Sequence, residues 1–146
     1  MTSVDFYFNA ADKLQVACRL AGKALAQGKR LLIYAPLADT AQQIERMLWT
    51  WPATGFVPHC RAGDALAAQT PVLISAEAGA AAASGCDILL NLAQETPPAF
   101  ERFQRLLEVV ARDEADRQAA RERLRFYRER GYRVANHDLA GESRGE

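Results

Sequence analysis

Arg30–Tyr34, RLLIY, carries no polar residue between its ends. A segment this continuously apolar cannot turn either face to water, and strands buried on both faces belong to parallel sheets covered by helices. Its flanks agree. On the amino side, Val4–Phe8 (VDFYF) reads as a first buried strand and Lys13–Gln27 as an amphipathic helix ended by Gly28. Leu14, Val16, Ala17, Leu20, Ala21 and Leu25 make that helix's apolar side. On the carboxyl side, Ala35 and Pro36 open a loop, and Asp39 or Thr40 caps a helix through Trp49 carrying Ile44, Met47 and Leu48.

The pattern then repeats. Val57–Pro58 suggests a short extended piece, residues 61–69 a loop, and Val72–Ser75 (VLIS) and Asp87–Leu92 (DILLNL) two more strands. Gly79–Gly85 is an Ala-rich turn region, and Pro97–Pro98 starts a short helix expected to run through Arg105. Leu106–Val110 (LLEVV) either continues that helix or, given its β-branched end, forms a strand; Tyr132–Asn136 (YRVAN) closes the sheet. Strands alternating with helices specify an α/β, three-layer Rossmann-like domain with a mostly parallel sheet. No interior linker or repeat divides residues 1–146, and the tail from about 140 is expected to fray.

Composition narrows the function. The 146 residues are 49% apolar and balanced at 18 basic and 18 acidic side chains. The charges are unevenly placed: Arg112–Arg133 holds eight Arg against five acids, and Pro36–Glu101 seven acids against two Arg. One basic face on a neutral protein suits a local acidic partner better than non-specific DNA binding, which typically neutralises ~6–10 phosphates. No signal peptide is read in MTSVDFYFNA, and no apolar run approaches the ~20 residues of a membrane span, so a cytoplasmic protein is expected. Cys18, Cys60 and Cys86 are odd in number and irregularly spaced, as free thiols in a reducing compartment would be.

The sequences that cradle phosphates are missing. After the first strand the chain reads NAADK, with no G-x-G-x-x-G; Gly22–Lys23 imitates a P-loop, but Ala17 and Ala24 stand where Gly and Ser or Thr are required. Asn91 occupies the place of a magnesium-binding Asp in DILLNL. His59 and Cys60 lack a C-x-x-C partner, so no zinc site is expected, and no G-x-S-x-G elbow exists. A Cys60–His137 nucleophile pair and an Asp5–Asp87 carboxylate pair are the remaining catalytic options, with nothing local to bring either together. No cofactor is expected. A small nucleotide- or nucleic-acid-binding enzyme on the same fold is the rival reading.

Asp113–Gly131, DEADRQAARERLRFYRERG, is the most informative segment for function. It has helix formers throughout, acids in its first turn, Arg in its last and Gly131 as a stop, hence one helix of about 27 Å. Arg117, Arg121, Arg125 and Arg128, spaced four, four and three apart, fall within about 80° of the helical wheel beside an apolar strip of Ala120, Leu124 and Tyr127. Glu122 and Glu129 point elsewhere, so the stripe is read as free of acids. Two readings stand: a solvated helix with scattered ion pairs, or a groove for an acidic ligand with an apolar end. Trp49, Trp51 and Phe56, broken by Pro52 and Gly55, pose a similar choice between core side chains and anchors for a protein partner.

Across nearly its whole length the chain resembles the chi subunits of bacterial DNA polymerase III. The resemblance rests on the opening FYF strand, the block LWTWPATGFVPH with its trailing Ala-Gly, the strand DILLNL, a Phe-led segment ending LLEVV, and the closing ARERLRFYRERGY. It implies a non-catalytic adaptor in the clamp-loader assembly, on a Rossmann-like fold without a nucleotide-binding loop. One surface is expected to hold the psi subunit and, through it, the clamp loader; the matching positions are Trp49 and Phe56 with His59 nearby, and Trp51 and Val57 in the same block. The other is expected to take the acidic C-terminal tail of single-stranded DNA-binding protein, which ends in Ile-Pro-Phe. Its matching positions are Arg117, Arg121, Leu124, Arg125 and Gly131, with Tyr127 and Arg128 added by the helical spacing. Leu124 stands where an aromatic residue is familiar in the family. An XPD/DinG-type helicase is a further expected partner at the psi surface; little direct nucleic-acid binding is expected.

Overall fold

RLLIY supplies β2, Leu31–Tyr34, in which Leu31, Leu32 and Ile33 are completely buried. The computed structural model describes residues 2–50, 58–79 and 85–140. The other strands are β1 (Ser3–Ala10), β3 (His59–Arg61), β4 (Val72–Ser75), β5 (Ile88–Asn91), β6 (Arg105–Ala111) and β7 (Arg133–Asp138). They form one sheet of order β3-β4-β2-β5-β6-β1-β7, and every pairing is parallel rather than most of them. The helices are α1 (Lys13–Ala26), α2 (Ala38–Thr50) and α3 (Glu114–Glu129).

Alternation along each strand sorts the core into two layers. Leu31, Ile33, Leu107 and Val109 pack with α1 and α2 on one face. Val4, Phe6, Leu32, Leu106 and Val110 pack with Ala120 and Tyr127 of α3 on the other. Asp12 caps α1 through Leu14 N–H and Gln15 N–H at 3.1 and 3.2 Å. α2 begins at Ala38, so Asp39 and Thr40 lie inside its first turn instead of capping it. Asp113 caps α3 by accepting from Asp116 N–H at 3.0 Å, and Gly131, at φ +84°, closes its far end. There Gly131 N–H donates to Arg128 O and Tyr132 N–H to Tyr127 O, the paired bonds of a Schellman stop.

The helix expected from Pro97 through Arg105 does not form. Ala99 sits at φ +60°, which breaks helical propagation, and only a 3-10 turn, Phe100–Arg102, follows. Arg105 instead opens β6, because the sheet needs a strand between β5 and β1. At Asn9, φ +66°, β1 shifts register, so that Ala10 pairs with Ala111. The turn region expected at Gly79–Gly85 falls mostly in residues 80–84, outside the described residues.

Two buried polar clusters hold α3 in place. Glu108, fully buried on β6, accepts from Arg123 Nε at 3.0 Å, Tyr127 OH at 2.6 Å and Asn91 Nδ2 at 3.0 Å. Burial pushes the Glu108 carboxyl's pKa up, while Arg123, Tyr127 and Asn91 pull against it. At the helix start, Asp116 accepts from Ala111 N–H (2.7 Å), Gln94 Nε2 (2.7 Å) and Lys13 Nζ (3.1 Å). Burial alone would raise its pKa, but Ala111 N–H, Lys13 and Gln94 prevail and hold it below the usual carboxylate value. A lowered folded-state pKa contributes stability above the unfolded value near ~4, lost as pH falls through the folded value. Asp116→Asn should therefore cost about 1.5–3 kcal/mol at neutral pH. Urea unfolding of both proteins should show that difference shrinking steadily below about pH 4.

Candidate functional site

The outer face of α3 carries Arg117, Arg121, Arg125 and Arg128, all solvent-exposed, while its inner face is Asp116, Ala120, Arg123 and Tyr127. Between them, on the flank toward the β7 edge, lies a hollow of about 310 Å³. Phe6, Phe8 and Val110 line it from the sheet, Arg117, Ala120, Arg121 and Leu124 from α3, and Asn136 from β7. This volume is at the small end for ligand sites and suits one apolar side chain. An apolar pocket flanked by two guanidiniums has the chemistry for a carboxylate attached to that side chain.

Arg117, Arg121 and Leu124 are thus brought together around the hollow. Arg125 and Arg128 lie on the exposed stripe outside it, and Gly131 serves the helix stop. Tyr127 is not part of the surface. It is fully buried, its hydroxyl donates to Glu108, and its ring packs against Phe100 at 5.3 Å and Phe6 at 6.0 Å. Lying three residues beyond Leu124, it is carried around the helix toward the sheet. Leu124 alone of the expected apolar strip remains partly accessible; Ala120 is buried.

The stripe is also not free of acids. Glu114, 71% exposed, accepts from Arg121 Nη1 at 3.1 Å and lies 4.0 Å from Arg117 Nη1. Arg121 Nη1 donates to Gln118 Oε1 at 3.0 Å as well. Residues seven apart return to nearly the same side of a helix, which places this first-turn acid beside Arg121. Exposed pairs of this kind contribute only ~0.2–1 kcal/mol, so an incoming carboxylate can displace Glu114.

Sequence reasoning missed four contributors to the hollow. Phe6 and Phe8 were legible only as strand residues, although their spacing of two puts them on one face. Val110 and Asn136 reach the site through strand pairing with β1, a non-local fact.

A second surface lies at the opposite edge of the sheet. Trp49, at the end of α2, is 63% exposed, and its ring meets His59 edge-on at 5.1 Å between centroids. Gln42, Glu45 and Arg46 surround it, and Arg61 Nε of β3 bonds Glu45 at 3.1 Å. Trp51, Phe56 and Val57 lie outside the described residues. β3 and β7 are the two edges of the sheet and stand about 29 Å apart, at ~4.8 Å per strand spacing, with one surface beside each.

That separation also rules out the Cys60–His137 nucleophile pair, since Cys60 is on β3 and His137 on β7. The Asp5–Asp87 pair fails too: Asp5 binds Arg105 and His137 at 2.9 and 3.0 Å, and Asp87 accepts from Arg30 N–H at 3.1 Å. Among the described residues no cluster of three His, Cys, Asp or Glu is placed to hold a metal ion, and no helix is long and apolar enough to cross a membrane. At the carboxyl ends of the strands, where such sheets commonly take nucleotides, a cleft of about 480 Å³ is lined by Lys13, Gln94, Ala111 and Asp116. There the donors offered by Lys13, Gln94 and Ala111 are already engaged by the Asp116 carboxylate.

The sequence profile of the DNA polymerase III chi subunit, HolC, matches residues 1–135. The chain belongs to this family. The chi subunit of Pseudomonas aeruginosa is 41% identical over 145 residues, covering 95% of this chain and 98% of that protein. That of Haemophilus influenzae is 32% identical over 125 residues, 86% of each. That of Escherichia coli is 32% identical over 120 residues, 82% of this chain and 81% of the relative. The chain is therefore a chi-type subunit of DNA polymerase III, with a place in DNA replication.

If the hollow takes a peptide carboxylate in competition with Glu114, Glu114→Gln should tighten binding of an acidic peptide about two- to fivefold at low ionic strength. Fluorescence titration at rising salt should show the two proteins converging.

Proposed function

We propose that this chi subunit is a non-catalytic adaptor that bridges the clamp loader, through psi, to the acidic C-terminal tail of single-stranded DNA-binding protein. The observation that supports the tail site is the apolar hollow bounded by Arg117 and Arg121 on a helix whose exposed side also carries Arg125 and Arg128. The terminal Phe of the tail enters beside Leu124, over Phe6 and Phe8; its carboxylate takes the Arg121 guanidinium in place of Glu114. Arg117 flanks the same end group, and tail aspartates meet Arg125 and Arg128.

Magnitudes divide the work. Burying a Phe is worth ~1.5–3 kcal/mol and a charge-assisted bond to the carboxylate ~1.5–3 kcal/mol. Each exposed ion pair adds only ~0.2–1 kcal/mol. After the cost of ordering a flexible peptide, roughly micromolar affinity follows. Several tails on a multimeric partner raise the effective concentration, so weak single contacts suffice.

Trp49 and His59 belong to the psi-facing surface, which an XPD/DinG-type helicase would share; Trp51, Phe56 and Val57 are assigned to it from the sequence block alone. An exposed Trp is a strong anchor for a protein partner. Its distance from the Arg stripe lets both partners be held at once.

Titration of a tail peptide should show Arg121→Glu binding at least about tenfold more weakly than wild type with an unchanged circular dichroism spectrum. Equal binding would remove the stripe as the site. Trp49→Ala, at a side chain the core does not need, should weaken psi or helicase capture and leave the tail peptide's affinity unchanged. Loss of both would point to damage to the fold.

A further inference from the structure

The hollow opens toward a sheet edge that no further strand covers among the described residues. β3, at the far edge, is three residues long, and short length is a common way to blunt an edge. β7 is six residues, RVANHD, with no Pro, Lys, Arg, Asp or Glu between Arg133 and Asp138. Among the described residues β1 is its one sheet neighbour.

The direction of its backbone groups follows from one hydrogen bond. Leu139 N–H donates to Phe8 O at 2.9 Å. In a parallel ladder a residue turns its N–H and C=O to the same side, and successive residues alternate. Arg133, Ala135 and His137 therefore face β1, while Val134 and Asn136 turn their N–H and C=O outward. The side chains of these same two residues lie on the α3 face: Val134 packs against that core layer, and Asn136 lines the hollow.

We propose that the acidic peptide docks by strand addition, its backbone pairing with Val134 and Asn136 while its terminal apolar side chain fills the hollow. This rests on the reading of the hollow as a tail site. Charge sets the direction. Arg128 and Arg133 lie at the amino end of β7 and Asp138 at its carboxyl end. An acidic segment ending in the hollow keeps its carboxylates beside the two Arg and away from Asp138 only if it runs parallel to β7. The span from Asn136 back to Arg133 is about 10 Å, at ~3.3 Å per residue, so three or four residues upstream of the terminal motif take part.

The test is an N-methyl scan of a nine-residue acidic peptide ending in Ile-Pro-Phe, titrated against the intact subunit. Methylation of alternate upstream amides should weaken binding about three- to tenfold, the loss of one hydrogen bond, with intervening positions nearly silent. Asn136→Pro, which deletes an outward N–H but no bond to β1, should weaken binding similarly, and Asn136→Ala by less. On binding, the Val134 and Asn136 amides should gain protection from hydrogen exchange. A flat scan with retained Arg121 dependence overturns strand addition and leaves the tail site standing. Binding that ignores Arg121→Glu, or no binding, overturns both. Protection that grows with protein concentration in the absence of peptide would show a second copy of the chain on this edge, and also overturns the proposal.

Discussion

The contact between Glu108 and Arg123 governs how this molecule presents itself. A carboxylate with no exposure sits in the middle of the sheet's α3 face, and its neutralising guanidinium comes from α3. Such a pair adds little net stability, because desolvating both ions offsets most of their attraction. Breaking it by removing one partner typically costs about 3–5 kcal/mol, since the other charge is left buried. Geometry is what the pair specifies. With Tyr127 and Arg123 both committed to one carboxylate, α3 can take only one rotation about its axis, and that rotation puts Arg117, Arg121, Arg125 and Arg128 in water. An aromatic cluster of Phe100, Phe126, Tyr127 and Tyr132 fixes the helix's carboxyl end, and Asp116 its amino end.

The surface thus follows from the interior. Arg123 on the inner face neutralises a buried acid; on the outer face, among the described residues, Arg121 meets Gln118 and Glu114 and Arg117 meets Glu114, contacts that are easily displaced. Four Arg at similar spacing serve one role and a fifth, Arg123, the opposite one. The chain is a chi-family subunit of DNA polymerase III, and its parallel sheet carries the Arg stripe on one helix flank and the exposed Trp49 at one helix end.

Much of the fold was legible because burial on both faces leaves a local mark. VLIS is the strand observed, residue for residue, and LLIY loses only Arg30 from the expected segment. The miss at Pro97–Arg105 had a local cause, the left-handed Ala99, that no propensity encodes. At the site, the Arg spacing was readable from helical periodicity, as was the stop at Gly131. The role of Tyr127 was not, because a Tyr beside a Leu on a wheel looks equally suited to surface or core until Glu108 is known to lie opposite. Glu114 was as readable as the Arg spacing, since three and seven residues separate it from Arg117 and Arg121, and only the acids later in the helix were weighed. Composition alone could not choose between core and surface for Trp49; the end of α2 places it in solvent.

The Asp116 carboxylate has a consequence for how the subunit relates to cell chemistry. It behaves as a tethered competitor in the crevice where relatives of this architecture hold phosphates, and tethering keeps its local concentration far above that of any dissolved anion. An anion entering the crevice therefore meets Lys13, Gln94 and Ala111 with donors already turned to a carboxylate of the protein's own.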